Sequence, residues 1–373
     1  MSFDQNSHYR VLELAHGIRL GLAVALFVEF AVWQQTASAR TPDTDIAARC
    51  RTVTAPASFE IASSGRRGTT PGNEGIKPNG FVELASDGPV VHGIDVSKYQ
   101  EEADFASVRT CGGRFAYVRM SGGSNAENEL LYRTHWANVR ASGLIPGPYH
   151  NLTIIPQTIS HVQDRSMEAI RAETDRLSSE ARASASQQAE LFLSRLREVL
   201  ALDPGGSSEY LPIALDLSAR PGAPGDAQRR RLFGPVYSSA ICEFMNVVGK
   251  SPYASRPIIL FAELEDLDIY GLDESTRRCA PTTPLIWVRH RPMDGRSFMS
   301  SKPRDLVERI CLQEEPAGSP LLQARTGAGR CVMEQYTSFG GFAIFKPGAP
   351  LDLNRFFGTE DDFRRFWQTG RMK

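Results

Sequence analysis

Three aspartates stand where short apolar runs of the sequence end. Asp95 ends the run VVHGID, Asp216 ends LPIALD, and Asp352 lies within APLDLNRF. A carboxyl group at the end of a buried strand can transfer a proton or stabilise a developing positive charge. The simpler alternative is that each aspartate caps the helix that follows it. For one aspartate alone the two explanations are equally good, so the fold that brings them together decides between them.

Aromatic and amide side chains stand at the ends of the other apolar runs. Aromatic rings pack on sugar faces, and carboxyl groups perform acid–base work on glycosidic bonds. With the three aspartates as candidate catalytic residues, this composition predicts a carbohydrate site that needs no metal or other cofactor. The candidate substrate-binding residues are Tyr149, Trp287, Gln335, Tyr336 and Asn354. Ordinary core packing is the alternative role for Tyr149 and Trp287.

The apolar runs alternate with helical segments, which is typical of parallel βαβ units. About eight strand candidates over about 280 residues fit an α/β barrel, whose parallel strands end at one common mouth. Amphipathic helices are predicted within residues 128–143, 160–202 and 229–249. No helix is obvious between the last three strands, so we expect an irregular TIM-like barrel. Insertions are expected near 156–185 and 294–330.

The N-terminal segment has the pattern of an export signal. Arg19 precedes an apolar stretch from Leu20 to Trp33, and a small-x-small cleavage pattern ends at Ala39. An uncleaved signal-anchor is the alternative, and it would be the chain's only membrane contact. Either way we expect a periplasmic or extracellular protein. We divide the chain into a signal at 1–39, a linker or arm at 40–89 and the barrel domain at 90–373.

Charge and cysteine content limit the partners and the compartment. The formal net charge is −1, so the composition gives no indication of a nucleic-acid partner. All six cysteines follow the predicted signal, and an even number suits disulfides in an oxidising compartment. Cys311 and Cys331 bracket one Gly- and Pro-containing segment and are candidates to close it. Sequence alone leaves fifteen connectivities open and does not indicate the oligomeric state.

Several of these motifs, in the same order, resemble those of the glycoside hydrolase family 25 lysozymes, the N-acetylmuramidases of bacteria and phages. GIDVSKYQ resembles the opening motif, ASGLIPGPYH the approach to the third strand, and LPIALDLS the catalytic strand. LIWVRH, EQYTSFG and LDLNRF resemble the C-terminal strands, so the resemblance extends over residues 90–358. It implies a flattened (β/α)5(β)3 barrel and cleavage of the β-1,4 bond after N-acetylmuramic acid in peptidoglycan.

The resemblance also assigns site residues. Asp95 matches the family's first-strand aspartate, Asp216 the first acid of its Asp-x-Glu pair, and Asp352 its last-strand aspartate. Gln335 and Tyr336 match its Gln-Tyr pair.

The sequence departs from the family at the proton donor. Ser218 stands where the Asp-x-Glu pair has its glutamate, and a hydroxyl cannot hold and release a proton near neutral pH as a carboxylic acid does. General acid catalysis contributes about 10²–10⁴-fold. Asp216 itself could donate the proton instead. The other possible substitute acids are Glu127, Glu129 and Glu334.

Two functions therefore remain open at this point. One is an exported muramidase-type glycoside hydrolase with a rearranged or weakened acid. The other is a catalytically inactive envelope protein that binds peptidoglycan or a related glycan. The three aspartates favour the first function. Ser218 favours the second. So does a further departure from the family, whose second-strand loop carries a glutamate before a glycine, whereas this sequence has Ser121 and Gly122 there.

Overall fold

The computed structural model describes one compact unit, which lies within Ile46–Lys373. The described residues are 53–55, 81–84, 89–101, 103–154, 166–203, 209–217, 227–253, 255–279, 283–289, 304–311, 330–340 and 351–370. The predicted signal at 1–39 and Ser218 lie outside them. In this described part of the chain, no helix combines the length and the apolar character that crossing a membrane requires.

The strands form a closed barrel and one small separate sheet. They are β1 (Val53–Ala55), β2 (Val82–Leu84), β3 (Val90–Val96), β4 (Phe115–Gly122), β5 (Ile145–Asn151), β6 (Ala214–Asp216), β7 (Ile259–Ala262), β8 (Leu285–Arg289), β9 (Cys331–Gly340) and β10 (Leu351–Phe357). The barrel order is β10-β3-β4-β5-β6-β7-β8-β9. Strands β3 to β9 pair in parallel, whereas β10 is antiparallel to both of its neighbours. The predicted irregular α/β barrel is confirmed.

Helices connect most of the barrel strands. They are α1 (Phe105–Thr110), α2 (Tyr132–Ala141), α3 (Met167–Ala201), α4 (Ala227–Gly249), α5 (Leu264–Ile269), α6 (Leu272–Cys279), α7 (Arg304–Cys311) and α8 (Glu360–Thr369). Helix α7 lies between β8 and β9, inside the segment expected to be an inserted loop. Its short apolar face consists of Leu306, Val307 and Ile310, all buried. Eight residues are too few for this periodicity to stand out from the Gly- and Pro-rich flanks.

Two apolar layers hold the barrel together. The outer layer packs the helices against the outward face of the sheet, and the inner layer fills the barrel with rings that include Phe115, Tyr117 and Trp287. Gly93 and Gly147 leave room for these rings. A Cβ atom at Gly93 would lie 2.4 Å from the Phe115 ring, and one at Gly147 would lie 2.5 Å from the Tyr117 ring. The interior is thus a packed core, and only the ends of the strands are available for a site.

The segment expected to be a linker contains ordered elements. β1 and β2 pair in parallel, and Phe81, next to β2, is buried. The Phe81 ring stacks on the His92 ring with 4.8 Å between centroids. This part of the arm therefore packs against the outside of β3.

Two disulfides between described residues close loops of the outer layer. The expected bond between Cys311 and Cys331 is confirmed, and it joins α7 to β9. A second bond joins Cys242 on α4 to Cys279 on α6. Such cross-links stabilise a fold mainly by restricting the unfolded chain.

Candidate active site

The C-terminal ends of β3 to β9 and the start of antiparallel β10, which together we call the barrel mouth, carry the three predicted aspartates. Side chains alternate along a strand between the two faces of a sheet. Tyr117 fills the barrel, so Arg119 and the residues that pair beside it face inward too. Asp95 lies directly opposite Asp352 in the β3–β10 pairing, and Asp216 pairs with Asn151 in the β5–β6 pairing.

Asp95 is deeply buried, with 3% of its surface exposed. Its Oδ2 accepts hydrogen bonds from Asn354 Nδ2 at 2.8 Å and from Gln335 Nε2 at 3.2 Å. Burial and, next, the charge of Asp352 raise the pKa of Asp95 well above its usual range, although the two hydrogen bonds oppose the shift. Asp95 therefore keeps its proton at a pH where an exposed aspartate would be ionised.

Trp287 supports this arrangement from inside the barrel. Its side chain is fully buried, and its Nε1–H donates to Asn354 Oδ1 at 3.1 Å. Its ring stacks on Phe261 at 4.2 Å and packs on Tyr117 at 4.7 Å between centroids. The expected packing of a sugar on Trp287 is not possible in this position, because protein rings already cover the indole. Trp287 instead orients Asn354, which holds Asp95.

Asp216 is one half of a buried ion pair. Arg289 Nη2 donates to its Oδ1 at 2.6 Å, and Asn151 Nδ2 donates to its Oδ2 at 2.7 Å. Burial disfavours the charge on Arg289, but the charge and hydrogen bond of Asp216 outweigh it and raise the pKa of Arg289. The ion pair does not favour the hypothesis that Asp216 donates the proton, since a donor must first hold one.

Tyr149 lies between the predicted acids. It is buried, and burial raises the pKa of its phenol well above the usual range. The charge of Arg119 opposes that shift, and those of Asp95 and Asp216 add to it. The phenol therefore stays protonated and can donate a hydrogen bond at the mouth.

The three substitute acids occupy different environments. Glu127 is exposed on the loop after β4. Glu129 is buried, forms an ion pair with Arg119 and accepts a hydrogen bond from the Lys98 backbone N–H at 2.9 Å. Burial raises the pKa of Glu129, although Arg119 opposes the shift. Glu129 is therefore the substitute acid that contacts the mouth, through its ion pair with Arg119 and through its charge, which acts on Tyr149.

Glu334 and Tyr336 lie on the opposite face of β9 from Gln335. Glu334 is fully buried and accepts a hydrogen bond from Arg355 Nη2 at 2.6 Å. The Arg355 guanidinium also lies 5.3 Å from the centroid of the Tyr336 ring. The structure thus does not bring Glu334 and Tyr336 to the mouth, because the period of two along a strand directs neighbouring residues to opposite faces.

Three residues of the mouth, Arg119, Asn151 and Arg289, were not among the predicted site residues. The alternation along each strand could have identified them, since Arg119 follows Tyr117 by two residues and Asn151 follows Tyr149 by two. Behind them, the His150 ring lies on the outer face, with Nδ1 2.8 Å from the Ser121 hydroxyl. Its Nε2 lies 3.0 Å from Gln188 Oε1 on α3, which fixes the strand end that presents Asn151.

An α/β barrel with acidic side chains at the C-terminal ends of its strands has the arrangement in which barrel enzymes place their active sites.

The chain resembles the lysozymes of glycosyl hydrolase family 25. The model of that family, "Glycosyl hydrolases family 25", matches residues 94–176. This segment includes Asp95 and Tyr149, whereas Asp216 and Asp352 lie beyond it.

Individual lysozymes resemble the chain as well. A 60-residue stretch is 35% identical to Lysozyme M1 of Streptomyces globisporus, covering 16% of this chain and 20% of that lysozyme. The crystal structure of a bacterial lysozyme from Streptomyces coelicolor is 18% identical, with a TM-score of 0.46, over 75% of this chain and 98% of the lysozyme. A family 25 glycosyl hydrolase from Bacillus anthracis is 18% identical, with a TM-score of 0.42, over 74% and 92% of the two chains.

Proposed function

We propose that this protein is an exported glycoside hydrolase of the muramidase type, which cleaves peptidoglycan at the β-1,4 bond after N-acetylmuramic acid. The observation that supports this most is the meeting of Asp95, Asp216 and Asp352 at the barrel mouth, where the charges of the other two act on Asp95. The resemblance to family 25 lysozymes supplies the substrate class.

The carboxyl groups have environments that suit different roles. Because Asp95 and Asp352 lie opposite each other and the pKa of Asp95 is raised, this pair holds a proton to a higher pH than an exposed aspartate does. Asp352 is the more exposed of the two, and we assign it to deliver the proton to the leaving sugar oxygen. Asp216 would stabilise the positive charge that develops at the ring carbon.

The proposed reaction balances as an ordinary hydrolysis. The bond between the ring carbon and the leaving oxygen breaks, and that oxygen takes the proton from the aspartate pair. Water adds its hydroxyl to the ring carbon and returns a proton to the pair. With Ser218 in place of a glutamate, we expect a rate below that of an enzyme with a dedicated general acid, by at most about 10²–10⁴-fold, the full contribution of such an acid.

The test is release of new reducing ends from purified peptidoglycan by the exported form of the protein. We expect slow release by the wild type. The rate should fall at least tenfold in Asp216→Asn and in Asp352→Asn, which corresponds to an activation free energy higher by roughly 1.4 kcal/mol. The matched control is Glu190→Gln, which changes an exposed carboxylate on α3 and should leave the rate unchanged. Absence of release by the wild type at high protein concentration would overturn the hydrolase proposal.

A second function, glycan binding without cleavage, is favoured by one specific observation. Both oxygens of Asp216 accept hydrogen bonds from protein groups, Arg289 and Asn151, so its carboxylate is already engaged. Under this alternative the wild type would pellet with intact sacculi but release no reducing ends. Release that is abolished by Asp216→Asn would overturn it.

A further inference from the structure

The turn that follows β3 is rigidly held at the edge of the mouth. The Ser97 backbone N–H donates to Gln100 Oε1 at 2.8 Å, and the Gln100 N–H donates to the Ser97 carbonyl at 3.1 Å. The Lys98 N–H donates to Glu129 Oε2 at 2.9 Å. The backbone of this turn is therefore fixed two to five residues after Asp95, and its side chains have defined starting positions.

Tyr99 projects from this turn with 63% of its surface exposed. Among the described residues it is the one exposed aromatic side chain; the other large exposed apolar side chains are Leu130, Met167 and Leu202. The guanidinium of Arg119 lies 5.5 Å from the centroid of the Tyr99 ring. Because Arg119 belongs to the mouth, the Tyr99 ring extends the mouth outward and can pack on a sugar bound there.

Lys98 adds a positive charge to the same surface. Its Nζ lies 5.5 Å from the centroid of the Tyr99 ring, and its side chain is partly exposed. The nearby carboxylate of Glu129 already pairs with Arg119. Within the described part of the chain, Lys98 forms no ion pair of its own. Its ammonium group is therefore available to form an ion pair with a carboxylate of a ligand.

We infer that Lys98 and Tyr99 form a subsite for a sugar ring that carries a carboxylate group. The ring face packs on Tyr99, and the carboxylate pairs with the Lys98 ammonium group. This inference rests on the proposed function and deepens it, because it selects carboxylate-bearing amino sugars over neutral glycans of the same backbone. Neither residue belongs to the assigned catalytic group, so the subsite acts through binding.

The test compares two ligands and two substitutions. Dissociation constants are measured for soluble, peptide-free peptidoglycan strands and for chitooligosaccharides of equal length, which lack the carboxylate. Tyr99→Ala should weaken binding of both ligands about tenfold, the loss of one stacked ring. Lys98→Met keeps the apolar stem and should weaken the carboxylate-bearing strand alone, by about two- to fivefold.

Matched controls separate the subsite from general damage. Tyr99→Phe and Lys98→Arg should keep wild-type binding. Leu202→Ala removes another exposed apolar side chain, 69% exposed, at the end of α3 where the barrel strands begin, and should change neither constant. Wild-type binding of both ligands by Tyr99→Ala, or equal weakening of both by Lys98→Met, would overturn the subsite. Failure of the wild type to bind either ligand would instead overturn the proposed function together with it.

Discussion

Replacing Arg289 by methionine tests the ion pair at the centre of the mouth. The substitution removes the guanidinium that donates to Asp216 Oδ1 at 2.6 Å and keeps an apolar side chain of similar length. Asp216, with 5% of its surface exposed, would retain the hydrogen bond from Asn151. The buried carboxylate would then lose its ion-pair partner, although the charge of Arg119 still acts on it.

The expected loss of stability follows from the burial of both partners. The side chains of Arg289 and Asp216 are each 8% exposed. Removing one partner of such a buried pair costs about 3–5 kcal/mol, because it leaves an uncompensated charge. The exposed pair Arg278–Glu274, with side chains 71% and 78% exposed, is the matched control. Arg278→Met should cost less than about 1 kcal/mol.

The assay is urea unfolding at neutral pH with the disulfides intact. The Arg289 guanidinium also packs 4.3 Å from the centroid of the Phe261 ring, so a double-mutant cycle with Asp216→Asn isolates the charge interaction. Asp216→Asn/Arg289→Met should be more stable than Arg289→Met by at least about 1 kcal/mol, because no buried charge remains. A cost of Arg289→Met no larger than that of Arg278→Met, or a double variant no more stable than Arg289→Met, would refute this reasoning.

Three further predictions concern pH, packing and the proton donor. Burial lowers the pKa of His150 to about 4, so between pH 6.5 and 4 the unfolded chain binds a proton that the folded protein does not. His150 thus contributes stability that is fully present above pH 6.5 and lost as the pH falls towards 4, at about 1.4 kcal/mol per pH unit. His150→Gln should remove this contribution from the pH dependence of the unfolding free energy, measured by urea unfolding. An unchanged pH dependence would contradict the prediction. Gly147→Ala, whose Cβ would lie 2.5 Å from the Tyr117 ring, should lower the free energy of unfolding by about 1–3 kcal/mol, whereas Gly122→Ala, with 3.6 Å to its nearest neighbour, should cost less; equal costs would argue against close packing. Ser218→Glu should increase reducing-end release, by at most about 10²–10⁴-fold, and an unchanged rate would contradict the assignment of position 218.

The barrel was predictable because strand periodicity is a local signal. The apolar runs that end at Asp95 and Asp216 became β3 and β6, and the alternation with helices required parallel pairing. The antiparallel closure by β10 was not predictable in this way. Strand direction depends on how the chain returns between β9 and β10, and no local residue pattern encodes that path.

The sequence assigned the site residues to strand ends, but it did not fix the faces or partners of their side chains. Sequence placed Trp287, Glu334 and Tyr336 at strand ends, yet the structure buries Trp287 beneath Asn354 and turns the other two to the outer face of β9. Glu334 and Tyr336 follow the ordinary alternation along β9, on the face opposite to Gln335. Alternation places neighbouring residues on opposite faces, but only the closed barrel decides which set faces inward and which rings cover Trp287.

By itself, the sequence determined the kind of barrel and the chemical types at its mouth, because apolar periodicity and strand-end residues are properties of short segments. Only the tertiary structure decided the partners. Asp216 meets Arg289 from 73 residues away, and Asp95 meets Asn354 from 259 residues away. Burial and distance together set which carboxyl group keeps its proton and which is ion-paired. Both quantities exist only once the strands have closed.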